Sequence, residues 1–77
     1  MDEVIDTFVA ESLAHNRVVD YMEDSKIVCV KTNKGHCMVY PCIRGKGVVI
    51  RCGSGRGSRR RLEMPSLEQL WSAVYYE

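Results

Sequence analysis

Residues 26–41 read KIVCVKTNKGHCMVYP, and this stretch sets the fold class. Two runs rich in β-branched residues, Lys26 to Thr32 and His36 to Pro41, flank Asn33-Lys34-Gly35. The pattern predicts an antiparallel hairpin, with Gly35 supplying the positive φ of a tight turn. A third run, Gly47 to Cys52, follows the turn-like Arg44-Gly45-Lys46-Gly47. Connections this short cannot cross over to make parallel pairs, so the three strands read as a meander. Arg59 to Leu62 can add a short fourth strand at the edge. Between them, Gly53 to Ser58 has no side chain able to build a core and reads as a flexible loop.

Helices are expected on both sides of the strands. Val4, Ile5, Phe8, Val9 and Leu13 recur at helical spacing, with Asp2 as N-cap and further acids in the first turn, which predicts a helix over about 3–15. Arg17 to Tyr21 reads equally as a continuation of that helix or as a strand. At the other end, Ser66 and Gln69 fit a capping box behind Pro65. Leu67, Leu70, Trp71 and Val74 then follow at i, i+3, i+4 and i+7, a face wide enough to pack on a sheet. The expected fold is α+β: an N-terminal helix, a small three- to four-stranded antiparallel sheet, and a C-terminal helix packed on it. The whole chain, 1–77, reads as one small domain.

Size and composition narrow the function. With 77 residues the core is small, which argues against a deep catalytic pocket. Hydrophobic residues at 45% and charged residues at 27% lie far from the composition of disordered chains, so the chain should fold. No stretch approaches the roughly 20 apolar residues that cross a bilayer, and Met1-Asp2-Glu3 lacks the basic start of a signal peptide. A cytoplasmic location is therefore expected, with Cys29, Cys37, Cys42 and Cys52 reduced rather than joined in a disulfide framework. Their spacing contains none of the Cys-x2-Cys pairs of a zinc knuckle, so they read as small hydrophobes and no metal is expected. His36 and Cys37 are strand neighbours facing opposite sides. A pairing of Cys37 with His15 has no supporting signature, so no catalytic residue and no cofactor are assigned.

Charge carries the functional signal. Residues 1–24 hold seven acids against Arg17 alone, a balance of −6. Residues 25–61 hold ten bases and no acid, and residues 62–77 carry −3, so the net +1 conceals a segregated chain. One reading has the acidic helices folding back to neutralise the basic strands. The other has an exposed cationic face, which the glycine-rich segment around Arg56 to Arg61 favours because no acid lies within it. Guanidinium groups bind phosphate in a bidentate manner, and glycines let a backbone follow an irregular ligand. The candidate partner-binding residues are Lys31, Lys34, Arg44, Lys46, Arg51, Arg56, Arg59, Arg60 and Arg61. No Gly-Lys-Ser/Thr follows the glycines, so the segment is not a phosphate-binding loop of the nucleotide-hydrolase type. Tyr40 is the only aromatic within residues 25–61, which weakens the case for sequence-specific single-strand recognition. Tyr75 and Tyr76 cannot share one buried helix face, so they mark a possible protein interface.

The expectation is a small non-enzymatic regulatory protein engaging an anionic partner, either nucleic acid or an acidic surface of a larger protein such as a nucleic-acid enzyme. Neither a membrane nor a small-molecule substrate is expected. The alternative is a phage-type inhibitor that binds a host protein directly through complementary charge; the chain resembles such proteins in size and charge segregation only.

Overall fold

The computed structural model describes residues 2–53 and 59–76. In chain order the elements are α1 (Asp2–Ala14), β1 (Val18–Met22), β2 (Ile27–Thr32), β3 (Gly35–Pro41), β4 (Val48–Cys52), β5 (Arg59–Leu62) and α2 (Leu67–Tyr75). The strands form one antiparallel sheet in the order β1-β2-β3-β4-β5. The α+β class, both helices and the meander agree with the sequence reading. The strand count does not: there are five, because Val18–Met22 is a strand and Arg59–Leu62 is another.

Asn16 decides the fate of residues 16–22. It adopts the left-handed conformation (φ 56°), its N–H donates to Leu13 O at 3.0 Å, and Arg17 N–H donates to Ser12 O at 2.9 Å. That pair of bonds caps the last carbonyls of α1 in a Schellman motif, where asparagine takes the place glycine usually holds. The chain leaves extended and enters β1 at Val18. At α2 the expected capping box is present: Ser66 Oγ accepts from Gln69 N–H at 3.2 Å, and Gln69 Oε1 accepts from Ser66 N–H at 2.8 Å.

Both helices cover one side of the sheet. From that side the core takes Val28 and Val30 of β2, Cys37 and Val39 of β3, and Val48 and Ile50 of β4. Ile5, Phe8 and Val9 of α1 and Leu70, Ala73, Val74 and Tyr75 of α2 close over them. The buried stripe of α1 continues at Ser12, not at Leu13, which is exposed. Ser12 completes the i, i+3, i+4, i+7 series that starts at Ile5, and a polar residue fits because its hydroxyl bonds Tyr75 Oη at 2.7 Å. Phe8 stacks on Tyr75 with ring centroids 5.8 Å apart and meets Trp71 edge-on at 5.9 Å, so one aromatic cluster fastens the helices together.

Tyr75 is therefore core, 9% exposed, and is not available as an interface residue; Tyr76 beside it is 76% exposed. Burial raises the Tyr75 hydroxyl pKa, opposed by the Ser12 bond and the Arg17 guanidinium, whose carbon lies 5.0 Å from the ring centroid. Tyr75→Phe is expected to destabilise the fold by about 1–2 kcal/mol, because it strands the Ser12 hydroxyl in the core. Urea unfolding checks this. Adding Ser12→Ala should recover part of the loss, since both partners are then gone.

The expectation of four reduced thiols is also corrected. Cys37 and Cys52 are cross-strand partners on the core side of β3 and β4, with Cα atoms 4.0 Å apart, and they form a disulfide. Sequence spacing could not reveal this, because the pairing depends on the β3–β4 register. Cys29 and Cys42 are free and half-buried. Among the described residues, no helix is long and apolar enough to cross a membrane, and no group of three or more His, Cys, Asp or Glu residues could hold a metal ion.

Candidate anion-binding sheet face

Strand alternation gives the sheet a second face, turned away from the helices. Across its middle, Asp20 pairs with Cys29, Cys29 with Met38, Met38 with Arg51, and Arg51 with Arg59. The next row joins Met22 to Ile27 on one side and Tyr40 to Val49 and Val49 to Arg61 on the other. A third, shorter row pairs Lys31 with His36. The face is thus graded. It is acidic at the β1 edge, apolar through Ile27, Cys29, Met38 and Tyr40, and cationic over β4 and β5.

Arg51 and Arg59 stand directly opposite each other, both exposed. Like charges facing across a strand pair destabilise a sheet. Among the described residues neither side chain has a hydrogen-bond or ion-pair partner to relieve the repulsion. Arg61 follows two residues after Arg59 on the same face and is ion-paired to Glu63 at 2.9 Å. Both groups are largely exposed, so the pair contributes little energy and leaves Arg61 able to exchange Glu63 for another anion. The sequence reading that no acid compensates the arginines near 56–61 is corrected at Arg61.

Of the nine cations singled out in the sequence, Lys31, Arg51, Arg59 and Arg61 share this face. Lys34 sits at the β2–β3 turn, and Arg44 and Lys46 are exposed in the β3–β4 loop. Arg60 points the other way, into a cleft beside Pro65, Glu68 and Gln69 at the start of α2. Arg56 and most of the glycine-rich segment lie outside the described residues. Internal neutralisation by the helices is seen at Lys26, whose Nζ meets Asp6 Oδ1 at 2.9 Å. The other exposed acids of α1 and α2 lie in the helical layer, across the sheet from Arg51 and Arg59.

Sequence reasoning missed the apolar company of the arginines. Met38 and Tyr40 alternate with the core residues Cys37 and Val39, so period-two spacing could have placed them on the arginine side had the β3–β4 register been known. It also missed the surroundings of Cys42. The loop after β3 folds against Arg61, close enough that a methyl at Gly45 would sit 3.4 Å from Arg61 Nη1. The Arg44 backbone N–H, then a hydrogen bond and the charge of Arg61, outweigh desolvation and hold the Cys42 thiol below its usual pKa. Cys42 should accordingly form thiolate at lower pH than an ordinary cysteine and react with iodoacetamide faster at neutral pH. Arg61→Ala should move the midpoint of the alkylation-rate profile upward but not fully to the ordinary value, because the Arg44 N–H remains. No protein family, curated protein or solved structure matches the chain, so the functional reading rests on this geometry.

Proposed function

We propose that the protein is a small, non-enzymatic nucleic-acid-binding module that holds a single strand on its open sheet face. Arg51, Arg59 and Arg61 contact phosphates, and the apolar strip of Met38, Tyr40 and Ile27 receives the bases. The observation that carries this reading is the unrelieved Arg51–Arg59 pair. A phosphate between the two guanidinium groups converts a repulsion into two charge-assisted contacts. A strand laid beside the arginines brings its bases over β2 and β3, where stacking and apolar contact are available. With Tyr40 as the one aromatic on this face, sequence preference should be weak. Lys31 and the loop cations Lys34, Arg44 and Lys46 extend the positive field that steers the strand to the face.

Fluorescence anisotropy with a labelled homopolymer oligonucleotide tests the proposal. Three phosphate contacts give log Kobs against log salt a slope of about −2 for single strands, so affinity should fall roughly 15-fold between 50 and 200 mM salt. Absence of binding at low salt would remove the proposal. Retention of an acidic protein from nuclease-treated lysate would then favour direct regulation of a protein partner.

A further inference from the structure

We infer that the groove between the two helices is a second binding site, which takes an arginine side chain presented by a basic polypeptide partner. The groove lies on the helical side of the sheet, away from the arginine face, and does not depend on the nucleic-acid reading. α1 lines it with Glu11. α2 lines it with two adjacent ridges, Leu67 and Trp71 in one and Glu68, Ser72 and Tyr76 in the next. The groove holds about 320 Å³, at the small end of ligand-sized clefts, and its floor is almost wholly apolar.

Trp71 supplies a fixed platform. Its ring is held by Tyr75 at 4.5 Å, His15 at 5.2 Å and Phe8 at 5.9 Å between centroids, yet the residue is only half-buried. Part of the indole thus stays open while little conformational freedom is left to lose on binding. Tyr76, 76% exposed at the end of α2, adds a second aromatic wall. An apolar floor alone would suit any hydrophobic side chain, and the carboxylates decide against that. Glu11 and Glu68 are both exposed, and among the described residues neither is in an ion pair. Neither helix carries a base from Asp2 to Ala14 or from Leu67 to Tyr75, so the field over the groove is negative.

Arginine fits this combination best. Its methylenes can lie along Leu67 and Trp71, its planar guanidinium can stack on the indole, and its N–H groups can reach Glu11 or Glu68 in pairs. Lysine carries a compact, strongly hydrated charge that neither stacks nor forks. The chain already shows the mode once. Arg17, in the adjoining cleft, sets its guanidinium carbon 5.0 Å from the centroid of Tyr75, a member of the same aromatic cluster. The groove offers Trp71 in the same role, with two carboxylates beside it. Exposed Glu3, further along α1, extends the negative surface, which favours a chain bearing several bases over a small cation. With the arginine face on the other side, one sheet would hold an anionic strand and a basic partner on opposite sides.

Trp71 is the only tryptophan in the chain, so its fluorescence reports on the groove and tests the inference. A capped tetra-arginine peptide, titrated to millimolar concentration at low salt, should change the emission saturably. Capped tetra-lysine should bind several-fold more weakly and neutral tetra-citrulline not at all. Glu11→Gln with Glu68→Gln should weaken tetra-arginine binding roughly 5- to 30-fold, and Tyr76→Ala roughly 2- to 5-fold. Glu3→Gln with Glu23→Gln removes the same charge outside the groove and should change affinity less than about 2-fold. Circular dichroism melts confirm that each variant is folded; Tyr76→Ala, at an exposed position, keeps the test open if the double variant is not. No saturable response to tetra-arginine, an equal response to tetra-lysine, or equal sensitivity to the control pair would each overturn the inference. Sedimentation velocity adds one further outcome: self-association abolished by Glu11→Gln with Glu68→Gln would make a second copy the occupant and overturn the assignment to a foreign partner. The Glu11 and Glu68 variant should bind the oligonucleotide as the wild type does, so this site and the arginine face fail or hold separately.

Discussion

Replacing Arg51, Arg59 and Arg61 together by glutamine is expected to weaken oligonucleotide binding by roughly 10²–10³-fold at low salt, taking about 1 kcal/mol or somewhat more for each charge-assisted contact removed. The salt dependence should flatten at the same time, since the slope counts the phosphates neutralised by these side chains. Stability should move in the opposite direction. Arg51 faces Arg59 across the strands, so removing the pair relieves a repulsion and should raise the unfolding midpoint slightly, by a few tenths of a kcal/mol. Loss of affinity with equal or higher stability is hard to produce by damage to the fold. Arg60→Gln is the matched control. It removes the same charge from the same strand, but its side chain lies on the helical side beside Pro65 and Glu68, and affinity should stay within about a factor of two to three, the part due to long-range charge. Affinity equally sensitive to Arg60 would mean that the face is not the site.

That contrast shows what the sequence could and could not carry. The run of basic residues at 59–61 is plain in the sequence, but a strand alternates its side chains, so neighbours in the run are not neighbours on a surface. Choosing Arg59 and Arg61 over Arg60, and adding Arg51, requires the β4–β5 register, which pairs Val49 with Arg61 and Arg51 with Arg59. The Cys37–Cys52 disulfide was hidden for the same reason, since it depends on a contact between residues 15 apart. Local features were legible because their causes are local: the Asn33-Lys34-Gly35 turn, with Gly35 at φ 110°, and the Ser66/Gln69 box. The intermediate case is Asn16. Its left-handed cap is local, but asparagine signals that conformation far less strongly than glycine, and Val18 and Met22 fit a helical stripe as well as a strand. Leu13 fits the helical spacing of Ile5, Phe8 and Val9, and spacing alone cannot say that Ser12, one residue earlier, is buried instead because it has Tyr75 to bond to.

The largest effect on stability should come from Gly47→Ala. Gly47 has φ 113°, a conformation L side chains rarely adopt, and it is buried where the β3–β4 loop returns to the sheet. Its carbonyl is fixed by the Cys42 N–H, which donates to Gly47 O at 3.0 Å. On its other side a methyl group would overlap the Leu62 carbonyl, and it would also sit 3.3 Å from Glu63 Cα. The obstruction is backbone, not the movable end of a side chain, so the chain can accommodate alanine only by shifting the loop or separating the end of β5 from β4. Conformational strain and this overlap together should cost about 2–4 kcal/mol. In a domain this small that is a large share of the total, and the thermal midpoint should fall by roughly 10–25 °C. Gly35→Ala makes the comparison informative. Gly35 also has positive φ, 110°, but nothing lies within 4 Å of the position its Cβ would take, so only the conformational part of the effect should appear there. If β5 separates before the rest unfolds, Gly47→Ala should also lose oligonucleotide affinity at temperatures where its helices are intact, because Arg59 and Arg61 are then no longer held opposite Arg51. Equal melting temperatures for the Gly47 and Gly35 variants would show that β5 does not pack against Gly47 as closely as described, and the placement of Arg61 beside Cys42 and Gly45 would fail with it.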